Sequence, residues 1–127
     1  MNKTRSFQYQ EREYSLRAEV VPCGSDTCIV ITGGDQPHIG AAALGVVTGS
    51  AAHPGKSAVT SSVFSVPGHK EGQLALEAAE RLSKALESTV VVTVGIHIDG
   101  ITPELIERVG EEFNLLVADL SRVLQQG

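Results

Sequence analysis

Three of the four histidines in this 127-residue chain stand at glycine-rich breaks, positions from which a scaffold displays functional groups. His38 closes Gly33-Gly34-Asp35-Gln36-Pro37, where two glycines permit unusual backbone angles and Pro37 fixes the approach. His69 and Lys70 follow Pro67-Gly68 and open an expected helix. His97 follows Gly95 at the end of a β-branched run. Imidazoles, an ammonium and glycine-rich backbone suit two kinds of ligand. One is an anion. The first turn of a helix carries unpaired N–H groups and a partial positive charge, so a lysine there is unhelpful to the isolated helix but sensible beside a phosphate. The plainer alternative is that Lys70 is solvated and Glu71 complements the helix dipole. The other ligand is a divalent metal, held by His38, His69 and His97 with an open position for water. No pair has H-x-H or H-x-x-x-H spacing, so the fold itself would have to assemble such a site. Asp35 and Asp99 flank His38 and His97 and either orient their rings or serve as turn formers. His53, beside Pro54 and Gly55, is expected in solvent.

Catalytic patterns are missing around these residues. No serine stands in G-x-S-x-G, and Gly33-Gly34 belongs to neither G-x-G-x-x-G nor a P-loop. The chain offers a polar set of His and Lys with no evident nucleophile. Cys23 and Cys28 lack the C-x-x-C spacing of redox or zinc motifs. They face each other across a possible hairpin, but the expected cytosolic setting favours two reduced strand residues.

The elements that must position these groups follow from periodicity. Tyr14, Leu16, Ala18 and Val20 alternate with polar neighbours, which predicts a strand with one wet face. After a turn at residues 22–26, Cys28-Ile29-Val30-Ile31-Thr32 completes a hairpin, and Phe7 and Tyr9 either extend the first strand or form a short one before it. Residues 41–48 and 59–66 are predicted as the third and fourth strands, joined by a polar loop at 49–57. Leu74, Ala75, Ala78, Ala79, Leu82, Ala85 and Leu86 recur at helical spacing, and their many alanines imply close approach to the sheet. Thr89-Val90-Val91-Val92-Thr93-Val94 is β-branched throughout, as expected of a strand buried on both faces. Thr102-Pro103 starts a second helix as N-cap and first helical residue, Gly110 is expected to interrupt or bend it, and an apolar stripe from Phe113 to Leu124 follows. The expectation is one α+β domain over residues 1–127: a two-layer fold with about five mostly antiparallel strands and two main helices on one face.

Composition excludes several classes. A net charge of −5 and no basic stripe speak against nucleic acid. No apolar run approaches the ~20 residues of a membrane helix, and no apolar region follows the basic start to make a signal peptide, so a cytoplasmic protein is expected. Aromatics make up 4% of the residues, so the core must be aliphatic.

Val30-Ile31-Thr32-Gly33-Gly34-Asp35-Gln36-Pro37-His38-Ile39-Gly40 resembles the VTGG-x-x-PHIG signature of the small D subunit that accompanies gallate and hydroxybenzoate decarboxylases. His69-Lys70-Glu71 resembles that family's His-Lys-acid step, and Gly95-Ile96-His97-Ile98-Asp99 its second histidine segment. The likeness, to the LpdD-like prenylated-flavin chaperones, runs from about Tyr14 to the last helix. The resemblance implies a non-catalytic accessory protein. It would bind prenylated FMN (or FMN) and deliver it to a UbiD-type decarboxylase of aromatic acids. The implied cofactor-binding residues are Gly33, Gly34, His38, His69, Lys70 and His97. Phe64, Tyr9, Tyr14 or a second subunit would supply a flat wall for the flavin. Two readings compete with it: a metal-dependent small-molecule enzyme using the three histidines, and a purely structural decarboxylase subunit. A homodimer is expected, because a small sheet leaves exposed edges.

Overall fold

The computed structural model describes residues 1–49, 57–68 and 71–126. In chain order the elements are β1 (Asn2–Tyr9), β2 (Arg12–Cys23), β3 (Asp26–Gly34), β4 (Ala41–Gly49), β5 (Ser57–Ser65), α1 (Gly72–Leu86), β6 (Val90–His97) and α2 (Pro103–Gln126). The strands form one sheet in the order β1-β2-β3-β6-β4-β5. β3 and β6 pair in parallel, and the other neighbours pair antiparallel. The fold is therefore α+β as expected, but the sheet is mixed and has six strands rather than five. The additional strand is β1. Its residues Asn2, Lys3, Thr4, Arg5, Ser6 and Gln8 are mostly polar because it lies at the sheet edge, so only Phe7 and Tyr9 carried a strand signal.

Register places one face of the sheet against the helices. Ala18 pairs Ile31, Ile31 pairs Val94 and Val94 pairs Ala41, and this whole row is buried. The adjacent row, Val20-Ile29-Val92-Ala43, is buried as well. α1 contributes Ala75, Ala78, Ala79 and Leu82, and α2 contributes Leu105, Val109, Phe113, Leu116, Val117 and Leu120. α1 packs on β4, β5 and β6, α2 reaches β1 and β2, and the two helices touch. Buried Glu112 of α2 bonds Arg5 of β1, tying the helix to the edge strand.

The opposite face of the sheet is left uncovered by these elements. β6 was expected to be buried on both faces, yet Val91 and Thr93 are half-buried while Val90, Val92 and Val94 are fully covered. Its β-branched run reflects a central position in the sheet rather than two helical layers. Across the open face the row Glu19-Val30-Thr93-Ala42-Phe64 ends on an edge-strand phenylalanine that is 80% exposed. Cys23 and Cys28 are free thiols on β2 and β3.

Two helix boundaries differ from the sequence reading. α1 begins at Gly72 with Glu71 as its N-cap, later than the sequence reading started it. α2 runs through Gly110 without interruption. One glycine costs a helix about 1 kcal/mol against alanine, and the buried stripe on both sides of it outweighs that. The N-cap at Thr102 is as expected: its hydroxyl accepts the Leu105 N–H at 3.2 Å.

Candidate functional site

The topology collects several chain ends along one edge of the sheet. β3 and β6 run in parallel and finish side by side, with Gly34 opposite His97. β4 starts there, with Ala41 paired to Val94, and β5 ends there, with Ser65 paired to Ala41. The segment 35–40 between β3 and β4 must pass over the end of β6, because β6 occupies the position between them. Backbone bonds hold it in place. Asp35 N–H donates to the His97 carbonyl at 2.6 Å, Gly40 N–H to Val94 at 2.8 Å, and the Gly40 carbonyl accepts Val66 N–H at 2.8 Å. Gly95 makes this crossing possible, since a Cβ there would collide with the His38 carbonyl. The glycine beside His97 thus serves His38.

His38 sits in this crossing segment with both ring nitrogens engaged. Nδ1 lies 3.1 Å from the Gln36 carbonyl and Nε2 lies 3.1 Å from Glu71 Oε1. The ring is thus held from both sides, by a backbone carbonyl and by a carboxyl oxygen. Glu71 is buried, 8% exposed, and its Oε1 also lies 3.4 Å from the Ile96 N–H. Its carboxylate occupies the space where Gly40 would otherwise carry a side chain. The plainer sequence reading had Glu71 complement the helix dipole. The structure turns it inward, and it makes no side-chain cap bond to α1.

His97, the last residue of β6, is fixed differently. Its Nε2 lies 3.0 Å from Asp99 Oδ1, and Gln36 Nε2 donates to the same oxygen at 3.1 Å. Asp35 accepts the Asp99 N–H at 2.9 Å and is paired with Arg12. Asp99 therefore does orient a histidine. Asp35 acts one step away, holding the Asp99 turn and leaving His38 to Glu71. The rings of His38 and His97 approach to 6.3 Å between centroids at an interplanar angle of 69°. These two histidines, 59 positions apart, are brought together with the end of β3 at Gly33 and Gly34, where Gly34 takes φ +81°. His69, Lys70 and His53 lie outside the described residues; the residues flanking the first two, Gly68 and Glu71, line the groove described next. Among the described residues, no three His, Cys, Asp or Glu groups are arranged to hold a metal ion.

A groove of about 410 Å³ opens beside this pair, between the starts of α1 and α2 and the end of β6. That volume lies in the range of small-molecule sites. Leu74, Ile96, Ile101, Ile106 and Val109 form its walls, Gly110 leaves part of it open, and Glu71 and His97 supply its polar groups. The expected aromatic wall is absent from it. Tyr14 stacks near Phe7 with centroids 5.7 Å apart and lies under Arg12, the Tyr9 hydroxyl is 3.5 Å from Thr102, and Phe64 faces solvent on β5. Aliphatic side chains do the lining instead. Ile101, Ile106 and Gly110 were missed as site residues. The available signal was Ile106, an isoleucine out of register with the buried stripe of its helix and 57% exposed.

Among the described residues no helix is long and apolar enough to cross a membrane. Comparison with solved structures finds the same fold in a chain from the crystal structure of a novel chaperone complex for yeast 20S proteasome assembly. The TM-score is 0.51 at 12% identity, covering 100% of this chain and 98% of that one, a likeness of fold alone. Protein LpdD of Lactiplantibacillus plantarum is 30% identical over 97 residues, which span 76% of this chain and 68% of that protein. Residues 10–125 match the model of the prenylated flavin chaperone LpdD-like domain. The chain, with its glycine-supported His38 and His97 at one end of a six-stranded sheet, belongs to the LpdD-like prenylated flavin chaperone family.

Proposed function

We propose that this chain is a cytoplasmic, non-catalytic carrier, formed as one domain, that binds prenylated FMN and hands it to a UbiD-type hydroxyarylic acid decarboxylase. One observation carries the reading. A groove with aliphatic walls and the volume of a small-molecule site shares Glu71 and His97 with the paired histidines, in a member of a prenylated-flavin chaperone family. The residues present fit such a group. The ring system is apolar on its faces and polar along one edge, which suits aliphatic walls beside two imidazoles. His38, His97 and the backbone of Gly33 and Gly34 would meet the polar edge, and His69 and Lys70 would meet the phosphate. When bound in the decarboxylase, the flavin supplies the chemistry that cleaves the carboxylate. Among the described residues lining the groove there is no serine, cysteine or lysine to act as a nucleophile, and a moderate grip favours release, because affinity is tuned mainly through the rate of departure. A homodimer through the uncovered sheet face, with Phe64 at its margin, completes the proposal.

The test is retention. Purified protein mixed with prenylated FMN and passed over a sizing column should carry a flavin absorption band. Alanine at His38, His69 or Lys70 should weaken retention at least several-fold, and undiminished retention in all three would remove the assigned site. Activation of apo-decarboxylase by the loaded carrier, compared with free cofactor, tests the delivery step.

A further inference from the structure

The walls of the groove are aliphatic, and α2 with the segment just before it supplies most of them. Ile106 is 57% exposed, lies off the buried stripe of α2 and lines the groove together with Val109 of the same helix. Ile101, two residues before that helix, is also exposed and lines the same groove. An exposed large aliphatic group gains nothing from water, so two on one concave wall indicate an apolar occupant. Gly110 adds an independent observation. It stands inside a long helix, where glycine is among the weakest formers. A Cβ there would meet nothing within 4 Å, and its φ is not among the positive ones, so neither packing nor backbone geometry calls for glycine. What glycine does at that position is leave the groove wide.

We infer that the Ile101-Ile106-Val109-Gly110 wall receives the isoprenoid-derived carbons of the ligand, so that this site selects prenylated over unmodified FMN. The inference rests on the carrier reading and deepens it. The isoprenoid-derived carbons of a prenylated flavin are hydrocarbon, and α2's share of the groove offers hydrocarbon with no polar side chain. Glu71 and His97, the polar groups of the groove, come instead from the start of α1 and the end of β6. Apolar pockets distinguish ligands by roughly 10- to 200-fold per methylene, so a preference of at least about tenfold is expected.

The experiment measures Kd for prenylated FMN and for FMN on the full chain, on Gly110→Leu and on Ile106→Ala, with thermal unfolding of each. Gly110→Leu fills the groove while improving helix propensity, so its melting temperature should not fall. Ile106→Ala removes an exposed side chain and guards against a folding failure in the first variant. The expected result is a wild-type preference for the prenylated form that drops at least about tenfold in Gly110→Leu and several-fold in Ile106→Ala. An unchanged preference in both variants would overturn the wall assignment while leaving the carrier reading in place. A wild-type protein that binds neither flavin would overturn the carrier reading itself.

Discussion

Replacing Glu71 tests the physical basis of the site without any ligand. Its carboxylate joins the start of α1 to the segment that carries His38 and to the Ile96 N–H. A hydrogen bond to a charged group contributes about 1.5–3 kcal/mol, and orphaning its partner adds cost. Two features lower the figure. The His38 side chain is 24% exposed, so water reaches it once the acid is gone, and burying the acid already had a desolvation cost. We therefore expect Glu71→Ala to lose about 2 kcal/mol, taken from the lower part of that range. For a domain of this size that is roughly 6–10 °C in Tm. Glu71→Gln keeps the volume and an acceptor for Ile96 N–H, so about 1 kcal/mol, roughly 3–5 °C, is expected. The assay is thermal and urea unfolding followed by circular dichroism, extended to a double-mutant cycle with His38→Ala. The coupling should be about 1–2 kcal/mol. If Glu71→Ala melts within about 2 °C of wild type, or if the two substitutions add within about 0.5 kcal/mol, then Glu71 does not hold His38 and the site lacks the support described above.

Further outcomes follow from the same contacts. Gly95→Ala should cost roughly 2–3 kcal/mol and disrupt flavin retention, because the added methyl group displaces the His38 carbonyl; unfolding midpoints and column retention measure both effects. Gly110→Ala, in contrast, should raise stability by about 1 kcal/mol, since nothing meets the new methyl, and a lower Tm would show that the helix needs glycine there. Phe64→Arg on the open sheet face should leave the melting of the fold within about 0.5 kcal/mol of wild type and convert the proposed dimer to monomer, as read by light scattering. Asp35→Ala should free the Asp99 turn and blur the His97 ring signals in NMR while His38, held by Glu71, keeps its own.

Local patterns were legible in the chain alone where each residue answers to its near neighbours. The alternation in β2 marks one wet face, the apolar spacing of α1 and α2 marks their buried stripes, and Thr102-Pro103 marks the start of α2 through a cap that is indeed formed. The glycine breaks beside His38 and His97 were visible for the same reason. Other features depend on which distant segments meet. The parallel pairing of β3 with β6 joins residues more than sixty positions apart, and no periodicity encodes that register. It decides that the segment carrying His38 passes over Gly95, and thus that two histidines share one end of the sheet. The same assembly turns Glu71, which in sequence could only be set against the helix dipole, into a buried partner of His38, and makes one groove wall of Ile101, Ile106 and Gly110, of which sequence singled out only the glycine, as a bend in the helix. Sequence determines what each residue can contribute chemically. Long-range strand order determines what it faces, because register is set by burial of the whole sheet at once.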